Sequence, residues 1–227
     1  MSASGGMRAV AGVLALSIGV AAARANPVPI PPGVRLRMWD TTVVVLPSHC
    51  TGVIVGAPWL VATAKHCIDA GVRLRVRVGK VEQDAELIEE DEAADQVLLA
   101  LSSEPNVKPL DVVRRLPIVG TVLYFLGNRE RPKWQAARLD RIAPCPNLPS
   151  LRRALHTSIN GRPGDSGAPL VDGAGEVVGL VHGGAGCRIA TPGDRLARLV
   201  DRALLRQHAR VGGTPLNATG RSASPTS

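Results

Sequence analysis

The sequence predicts an all-β fold, either a barrel or a sandwich, that ends in a single helix. Short runs rich in Val, Leu and Ile are separated mostly by Gly, Pro or polar residues, which is typical of these folds. The runs span residues 41–46, 52–55, 59–62, 72–78, 95–101, 121–126, 135–142, 168–171 and 177–181. Near the end, apolar residues recur at the spacing of one helix face and predict an amphipathic helix over 193–209. These residues are Leu196, Leu199, Val200, Ala203 and Leu204.

The domain boundaries follow from the same pattern. We expect one domain over 41–210, with halves of about 41–108 and 117–192 joined by a segment without a β run. The helix is expected to pack its apolar stripe on this domain. Its charged face is rich in arginine, so a membrane-surface or partner-binding helix is the alternative. Residues 211–227, rich in Gly, Ser, Thr and Pro, are expected to form a disordered tail.

The first 40 residues are predicted to comprise an export signal followed by a connecting segment. An apolar run over 9–23 follows Arg8 and leads into Ala23-Arg24-Ala25, the pattern of a secretory signal peptide cleaved after residue 25. The run is shorter than the about 20 apolar residues that a membrane-spanning helix needs. We therefore expect a secreted protein, extracellular or periplasmic, without stable membrane insertion once residues 1–25 are removed. The proline-rich start of 26–40 predicts an extended lead-in.

Charge and composition limit the partners. The formal net charge is +8, but aromatic residues make up only 2% of the chain, so stacking platforms for nucleic acid are scarce. We expect no nucleic-acid partner and interpret the charge as a solvated surface. The even count of cysteines suggests two disulfides in an exported chain. The pairs His49-Cys50 and His66-Cys67 could instead form a zinc cluster, but their spacing fits no standard ligand pattern, so we expect no metal.

The stretch over 161–170 carries the first chemical signal. Its glycines and prolines predict a loop that holds Ser166 at the surface while neighbouring backbone N–H groups converge. A tetrahedral acyl-transfer intermediate needs such an arrangement, a nucleophile beside two donors for the oxyanion. The alternative is a plain turn between two strands.

Two upstream segments supply the groups that a serine nucleophile requires. An apolar run ends at His66, and Asp95 stands at the head of another apolar run. The imidazole of His66 can accept the hydroxyl proton of Ser166, and a carboxylate behind it would fix the tautomer. Taken singly, the three could be a buried histidine, a strand-start cap and a turn residue.

Together these segments resemble the chymotrypsin family of secreted serine proteases. Cys50-Thr51-Gly52 and residues 59–67 are similar to its Cys-Gly-Gly and Trp-Val-Val-Ser-Ala-Ala-His-Cys segments, and 95–101 to its Asp-x-Ala-Leu-Leu strand. Residues 164–170 resemble Gly-Asp-Ser-Gly-Gly-Pro-Leu, and 179–187 resemble the strand that follows. The resemblance implies two antiparallel six-stranded β-barrels, with His66 and Asp95 from the first and Ser166 from the second. It also assigns the oxyanion hole to the N–H groups of Gly164 and Ser166.

The resemblance has further implications and some departures. It implies a Cys50–Cys67 disulfide, which leaves Cys145 and Cys187 for the second bridge. The family usually pairs the latter cysteine with one at the position of Arg162, so the second bridge would be rewired or absent. Asp165 would pair with a new N-terminus in activated members, but no Ile-Val-Gly-Gly stands in this chain, so another partner is needed.

By motif position, Asn160 would lie at the base of the specificity pocket, with Gly184 and Gly193 on its walls. No carboxylate occupies the base, so a preference for Arg or Lys is unsupported. His182 could favour an acidic substrate side chain, or it could support Asp95 from behind.

We therefore expect a serine endopeptidase, monomeric and free of cofactors, that acts on proteins or peptides through an acyl-enzyme. The alternative is a catalytically silent relative that serves as a binding module. An α/β-hydrolase esterase is disfavoured, because Ala168 replaces the last glycine of its Gly-x-Ser-x-Gly elbow and strand–helix alternation is missing.

Overall fold

Two closed, antiparallel, six-stranded barrels form the body of the molecule. The computed structural model describes residues 28–146, 148–182 and 187–212. The predicted signal peptide and the tail beyond residue 212 lie outside the described residues. The architecture implied by the family resemblance is confirmed.

The first barrel closes in the order β1-β2-β3-β6-β5-β4. Its strands are β1 (Thr42–Leu46), β2 (Cys50–Ile54), β3 (Leu60–Ala64), β4 (Arg75–Val78), β5 (Val81–Asp91) and β6 (Gln96–Leu101). The interior is filled by branched aliphatic side chains that fit the pleated surface of a strand. Fully buried members are Val43, Val45, Ile54, Val61, Val97 and Leu99.

The second barrel repeats the plan in the order β10-β11-β12-β9-β8-β7. Its strands are β7 (Val122–Leu126), β8 (Trp134–Ala143), β9 (Ala154–Thr157), β10 (Pro169–Val171), β11 (Val177–Val181) and β12 (Ile189–Pro192). Its interior holds Leu123, Phe125, Leu139, Leu155, Leu170 and Val178.

Three strands were not predicted, and each has a reason. Strand β5 is mostly acidic and exposed, so it carries little apolar signal. Strands β9 and β12 are only 4 residues each, too short to show an alternation. Each is fixed by its neighbours, because β9 pairs with both β8 and β12.

The segment expected to be an extended lead-in contains helix α1 (Pro32–Thr41), so that prediction was wrong over 32–40. The prolines that suggested extension stand before the helix and in its first turn, where a missing N–H costs nothing. Val34 and Met38, four residues apart, are buried on one side.

The C-terminal helix α2 (Gly193–Gly212) starts where the sequence predicts it. It packs Leu196, Leu199 and Val200 into an apolar cluster that also contains residues of both barrels. Its arginines bind acids of β5, since Arg195 pairs with Asp91 and Arg202 with Glu89. None of the helices described is long and apolar enough to cross a membrane.

The connection between the barrels is bonded to both. Leu110 donates its N–H to Ile54 O at 3.1 Å, and Val113 donates to Val177 O at 3.0 Å. The predicted linker is therefore a segment that crosses the junction of the barrels and is hydrogen-bonded to both.

Candidate functional site

His66 lies where β3 ends, in a 3-10 turn over Lys65–Cys67. The Cys50–Cys67 disulfide implied by the resemblance is present and joins this turn to β2. The Lys65 ammonium binds Glu90 and Glu92 at 3.4 and 3.3 Å. Burial lowers the pKa of Lys65, but the hydrogen bond and charge of Glu92, together with Glu90, outweigh it and raise the pKa.

Asp95 is buried and binds His66 twice. Its Oδ1 accepts the backbone N–H of His66 at 2.9 Å, and its Oδ2 lies 2.7 Å from the imidazole Nδ1. Asp95 has a φ of 52°, because it ends a 3-10 turn over Glu92–Ala94 before β6 begins. A carboxylate only accepts hydrogen bonds, so this contact holds the imidazole proton on Nδ1 and leaves Nε2 as an acceptor.

Ser166 lies on the loop before β10, and that loop is pressed against the first barrel. The Ser166 carbonyl accepts the N–H of Thr51 on β2 at 2.9 Å. Gly167 has a φ of +80°, and a Cβ there would collide with Thr51 O and the Thr63 hydroxyl. Only glycine permits this approach, which places the predicted nucleophile at the junction of the barrels.

His182 joins the three predicted residues. It follows β11, and its Nε2 lies 3.3 Å from Asp95 Oδ2, while its ring lies 5.0 Å from that of His66 between centroids. Its backbone carbonyl accepts the Ser166 hydroxyl at 3.0 Å. The His182 side chain therefore lies next to the Asp95 carboxylate.

The predicted oxyanion donors are available. Gly164 has a φ of +91°, and its carbonyl is held by the Thr51 hydroxyl at 2.6 Å. Within residues 28–146, 148–182 and 187–212, the backbone N–H groups of Gly164 and Ser166 donate no hydrogen bond. An oxyanion hole requires two backbone donors of this kind.

Asp165 finds partners in the backbone instead of a new N-terminus. Its Oδ1 accepts the N–H of Asn128 at 2.9 Å and its Oδ2 that of Arg162 at 2.7 Å. Asp165 is only 2% exposed, and a buried carboxylate requires such donors. The Asn128 side chain donates in turn to His49 O at 2.9 Å, which joins this loop to the first barrel. Sequence reasoning missed Asn128, because no motif marks it.

The predicted specificity pocket is brought together only in part. Asn160 lies on the loop before Ser166, where Lys133 Nζ binds its carbonyl at 2.7 Å. Gly193 opens α2, and a Cβ there would meet Val178 O at 2.7 Å, so this glycine packs against β11 instead of lining a pocket beside His182. Ile189 lies opposite His182, and its carbonyl accepts the His182 N–H at 3.1 Å. Gly184 lies outside the described residues.

All four cysteines are in disulfides. The second bridge joins Cys145 to Cys187, so it is rewired as the departure from the family pattern suggested. It connects the chain after β8 to the chain before β12. Because Cys50 and Cys67 bind each other, the alternative of a zinc cluster with cysteine ligands is wrong.

Comparison with solved structures finds the same fold in known proteins. The Rv3671c protease from M. tuberculosis in its active form superposes with a TM-score of 0.64 at 22% identity, over 78% of this chain and 87% of that one. The MamO protease domain from Magnetospirillum magneticum gives 0.63 at 16%, over 71% and 96%. Deg5 gives 0.62 at 18%, over 77% and 93%. These superpositions show a shared fold.

No curated protein matches the sequence. The model of the trypsin-like peptidase domain matches residues 50–180, which is more than half of the chain. That span includes His66, Asp95 and Ser166 and ends within β11. The chain therefore belongs to the trypsin-like peptidase domain family.

Proposed function

We propose that this peptidase is a secreted serine endopeptidase that cleaves peptide bonds through an acyl-enzyme on Ser166. The observation that carries the proposal is the double contact of Asp95 with His66, at 2.9 and 2.7 Å. It directs the unprotonated Nε2 away from the carboxylate, as a general base for a serine requires. Family membership supports the same chemistry, as do the N–H groups of Gly164 and Ser166, which donate no hydrogen bond to any residue that the structure describes.

The proposed reaction has two stages. The Ser166 Oγ attacks the peptide carbonyl carbon while His66 Nε2 takes the hydroxyl proton, and the N–H groups of Gly164 and Ser166 bind the oxyanion. The imidazolium then gives its proton to the leaving amine as the C–N bond breaks. A water molecule, deprotonated by His66, then attacks the ester carbonyl carbon. As the acyl C–Oγ bond breaks, His66 returns that proton to Ser166 Oγ, and the acid is released.

The Ser166 hydroxyl must turn before it reacts. It has one proton, and that proton is directed to His182 O at 3.0 Å. Rotation about χ1 is fast on the time scale of turnover, so a resting bond to His182 does not prevent catalysis. We propose that substrate binding favours the rotamer directed to His66.

Labelling by a fluorophosphonate probe tests the proposal. The wild-type chain should label, and Ser166→Ala or His66→Ala should abolish labelling. Ser150→Ala, at an exposed serine, is the matched control and should label like wild type. A folded wild-type chain that neither labels nor digests a peptide library would instead favour the silent binding module.

We also propose export. The two disulfides favour an oxidising compartment, and the apolar run over 9–23 has the pattern of a signal peptide. Expression in a secreting host followed by N-terminal sequencing should give a mature chain that begins at Asn26. Retention of residues 1–25 in the exported product would contradict the assigned cleavage site.

A further inference from the structure

The side chains of His66, Asp95 and His182 arrive from three segments of the chain and present a set of metal-ligand atoms. One atom of each lies within 4.8 Å of the others. We propose that these three residues bind a divalent cation of the zinc type and that the bound ion switches off the peptidase. The inhibition rests on the proposed function, whereas the binding does not.

The donor set fits zinc. Two imidazole nitrogens and one carboxylate oxygen, with water in the fourth position, are the ligands of many three-residue zinc sites. Zinc–ligand bonds of about 2.0–2.2 Å put tetrahedral ligand atoms about 3.3 Å apart. The His182 Nε2 already lies 3.3 Å from Asp95 Oδ2.

One distance must lengthen. The His66 Nδ1 lies 2.7 Å from Asp95 Oδ2, which is a hydrogen-bond distance, so the imidazole must retreat by about 0.6 Å to admit an ion. The His66 side chain is 42% exposed and lies on a short turn, so its imidazole can move outwards into solvent. The same exposure gives the ion an entry path and a water ligand.

Binding at this position would remove the general base. A metal on Nδ1 uses the lone pair of that nitrogen, so the neutral imidazole of His66 carries its one proton on Nε2. A protonated Nε2 cannot accept the Ser166 hydroxyl proton, so the nucleophile stays unactivated.

Competing sites are weaker. The thiols are all in disulfides. Among the described residues, the His49 ring pairs with the single carboxylate of Glu130, at 3.2 Å, and both side chains reach solvent. Within the described ranges, no other group offers three or more His, Cys, Asp or Glu ligand atoms at such distances.

Calorimetric titration of ZnCl₂ into the full chain carrying Ser166→Ala tests the binding without any catalysis. We expect one site. Adding His182→Ala or His66→Ala should weaken binding by more than about tenfold, since even an outer partner of a metal ligand is worth about 10- to 100-fold. His208→Ala, at an exposed histidine of α2, is the matched control and should leave the affinity unchanged.

If His182→Ala fails to fold, His66→Ala still tests the site, because the exposed His66 ring can be removed without opening the core. Absence of binding, or an affinity that neither histidine variant changes, would overturn the site. For the wild-type chain, ZnCl₂ should slow fluorophosphonate labelling, and EDTA should restore it.

The two proposals fail separately. Zinc binding at the three residues with no effect on labelling would overturn the switch and keep the site. A chain that binds zinc as expected but never labels would refute the proposed peptidase mechanism and leave the metal site established.

Discussion

Asp95 uses both carboxylate oxygens on His66, one for the backbone N–H and one for the imidazole Nδ1. An asparagine there has one oxygen for two donors. If that oxygen keeps the backbone N–H, the amide NH₂ faces Nδ1 and forces the imidazole proton onto Nε2. Asp95→Asn should therefore lower kcat by about 10⁴-fold, the loss that a wrong tautomer causes in serine proteases.

Initial rates on a fluorogenic peptide pool would measure this effect. Asp84→Asn is the control, because Asp84 is an exposed acid of β5 paired only with arginine. A loss below tenfold for Asp95→Asn in a folded protein would contradict the tautomer argument.

His182 is expected to act as a positioning residue through Asp95. Its imidazole Nε2 lies 3.3 Å from Asp95 Oδ2, and we expect loss of this polar contact to a charged group to cost about 1.4 kcal/mol, which is tenfold in rate. His182→Ala should therefore lower kcat by about tenfold with little change in KM, and His182→Asn, which keeps a donor, should recover part of the rate. Steady-state kinetics on one peptide separates the two constants. A rise in KM alone would assign His182 to substrate binding instead.

Asp165 is expected to hold the nucleophile loop in shape. Asp165→Asn replaces one acceptor with an NH₂ that faces a backbone N–H, and a buried polar group left unpaired costs about 1–3 kcal/mol. Urea unfolding should show that loss, and labelling of Ser166 should fall with it. Because neither partner is a chain terminus, extra residues at the mature N-terminus should leave labelling unchanged. Activity that appears only after N-terminal trimming would contradict this.

Glu89 and the arginines of α2 are expected to fasten the helix to the first barrel. The Glu89 side chain is 5% exposed and lies 3.1 Å from Arg202 and 2.8 Å from Arg206. Removing the Glu89 carboxylate takes away the acid that Arg202 and Arg206 share, which destabilises the fold. Because each arginine is about half exposed to water, the cost is limited, and Glu89→Ala should lower the free energy of unfolding by about 1–3 kcal/mol. Chemical denaturation measures it. Arg198→Ala is the control, because Arg198 is 3.9 Å from Asp194 and exposed. Equal stabilities for the two variants would refute the fastening role.

The Arg114–Asp201 pair predicts a small acid sensitivity. Hydrogen bonds from Arg114, at 2.5 and 2.8 Å, lower the pKa of Asp201, with burial opposing and the charge of Arg114 adding. A carboxyl with a lowered folded-state pKa stabilises the fold above its unfolded pKa and loses that contribution as the pH falls through the folded value. Asp201 is more than a third exposed, so the contribution should stay below about 1 kcal/mol.

Urea unfolding of Asp201→Asn and wild type over a pH series checks the sign. The difference between them should be largest near neutrality and vanish in acid. A difference that grows as the pH falls would contradict the assignment.

The parts of the fold and site that could be predicted share one property: each produces a recognisable pattern within one contiguous run of residues. The strand that ends at His66 and the loop around Ser166 are local patterns, and the family resemblance supplied their meeting point. Strand β5 could not be predicted, because most of its acids face solvent and only pairing with β4 and β6 makes it a strand. Gly193 was misassigned because the register of β12 on β11, which pairs Val181 with Ala190, cannot be read from a motif. The partners of Asp165 were hidden for the same reason, since Asn128 and Arg162 meet it only after folding.

Thr51 binds the nucleophile loop at two points, through its N–H to Ser166 and its hydroxyl to Gly164, and its chain neighbour Cys50 is bridged to the residue after His66. The turn with the proposed base and the loop with the proposed nucleophile are therefore attached to two adjacent residues of one β-hairpin, Cys50 and Thr51. Cutting the Cys50 bridge would therefore remove one link between this hairpin and the turn that carries His66, while the two Thr51 hydrogen bonds to the nucleophile loop would stay in place.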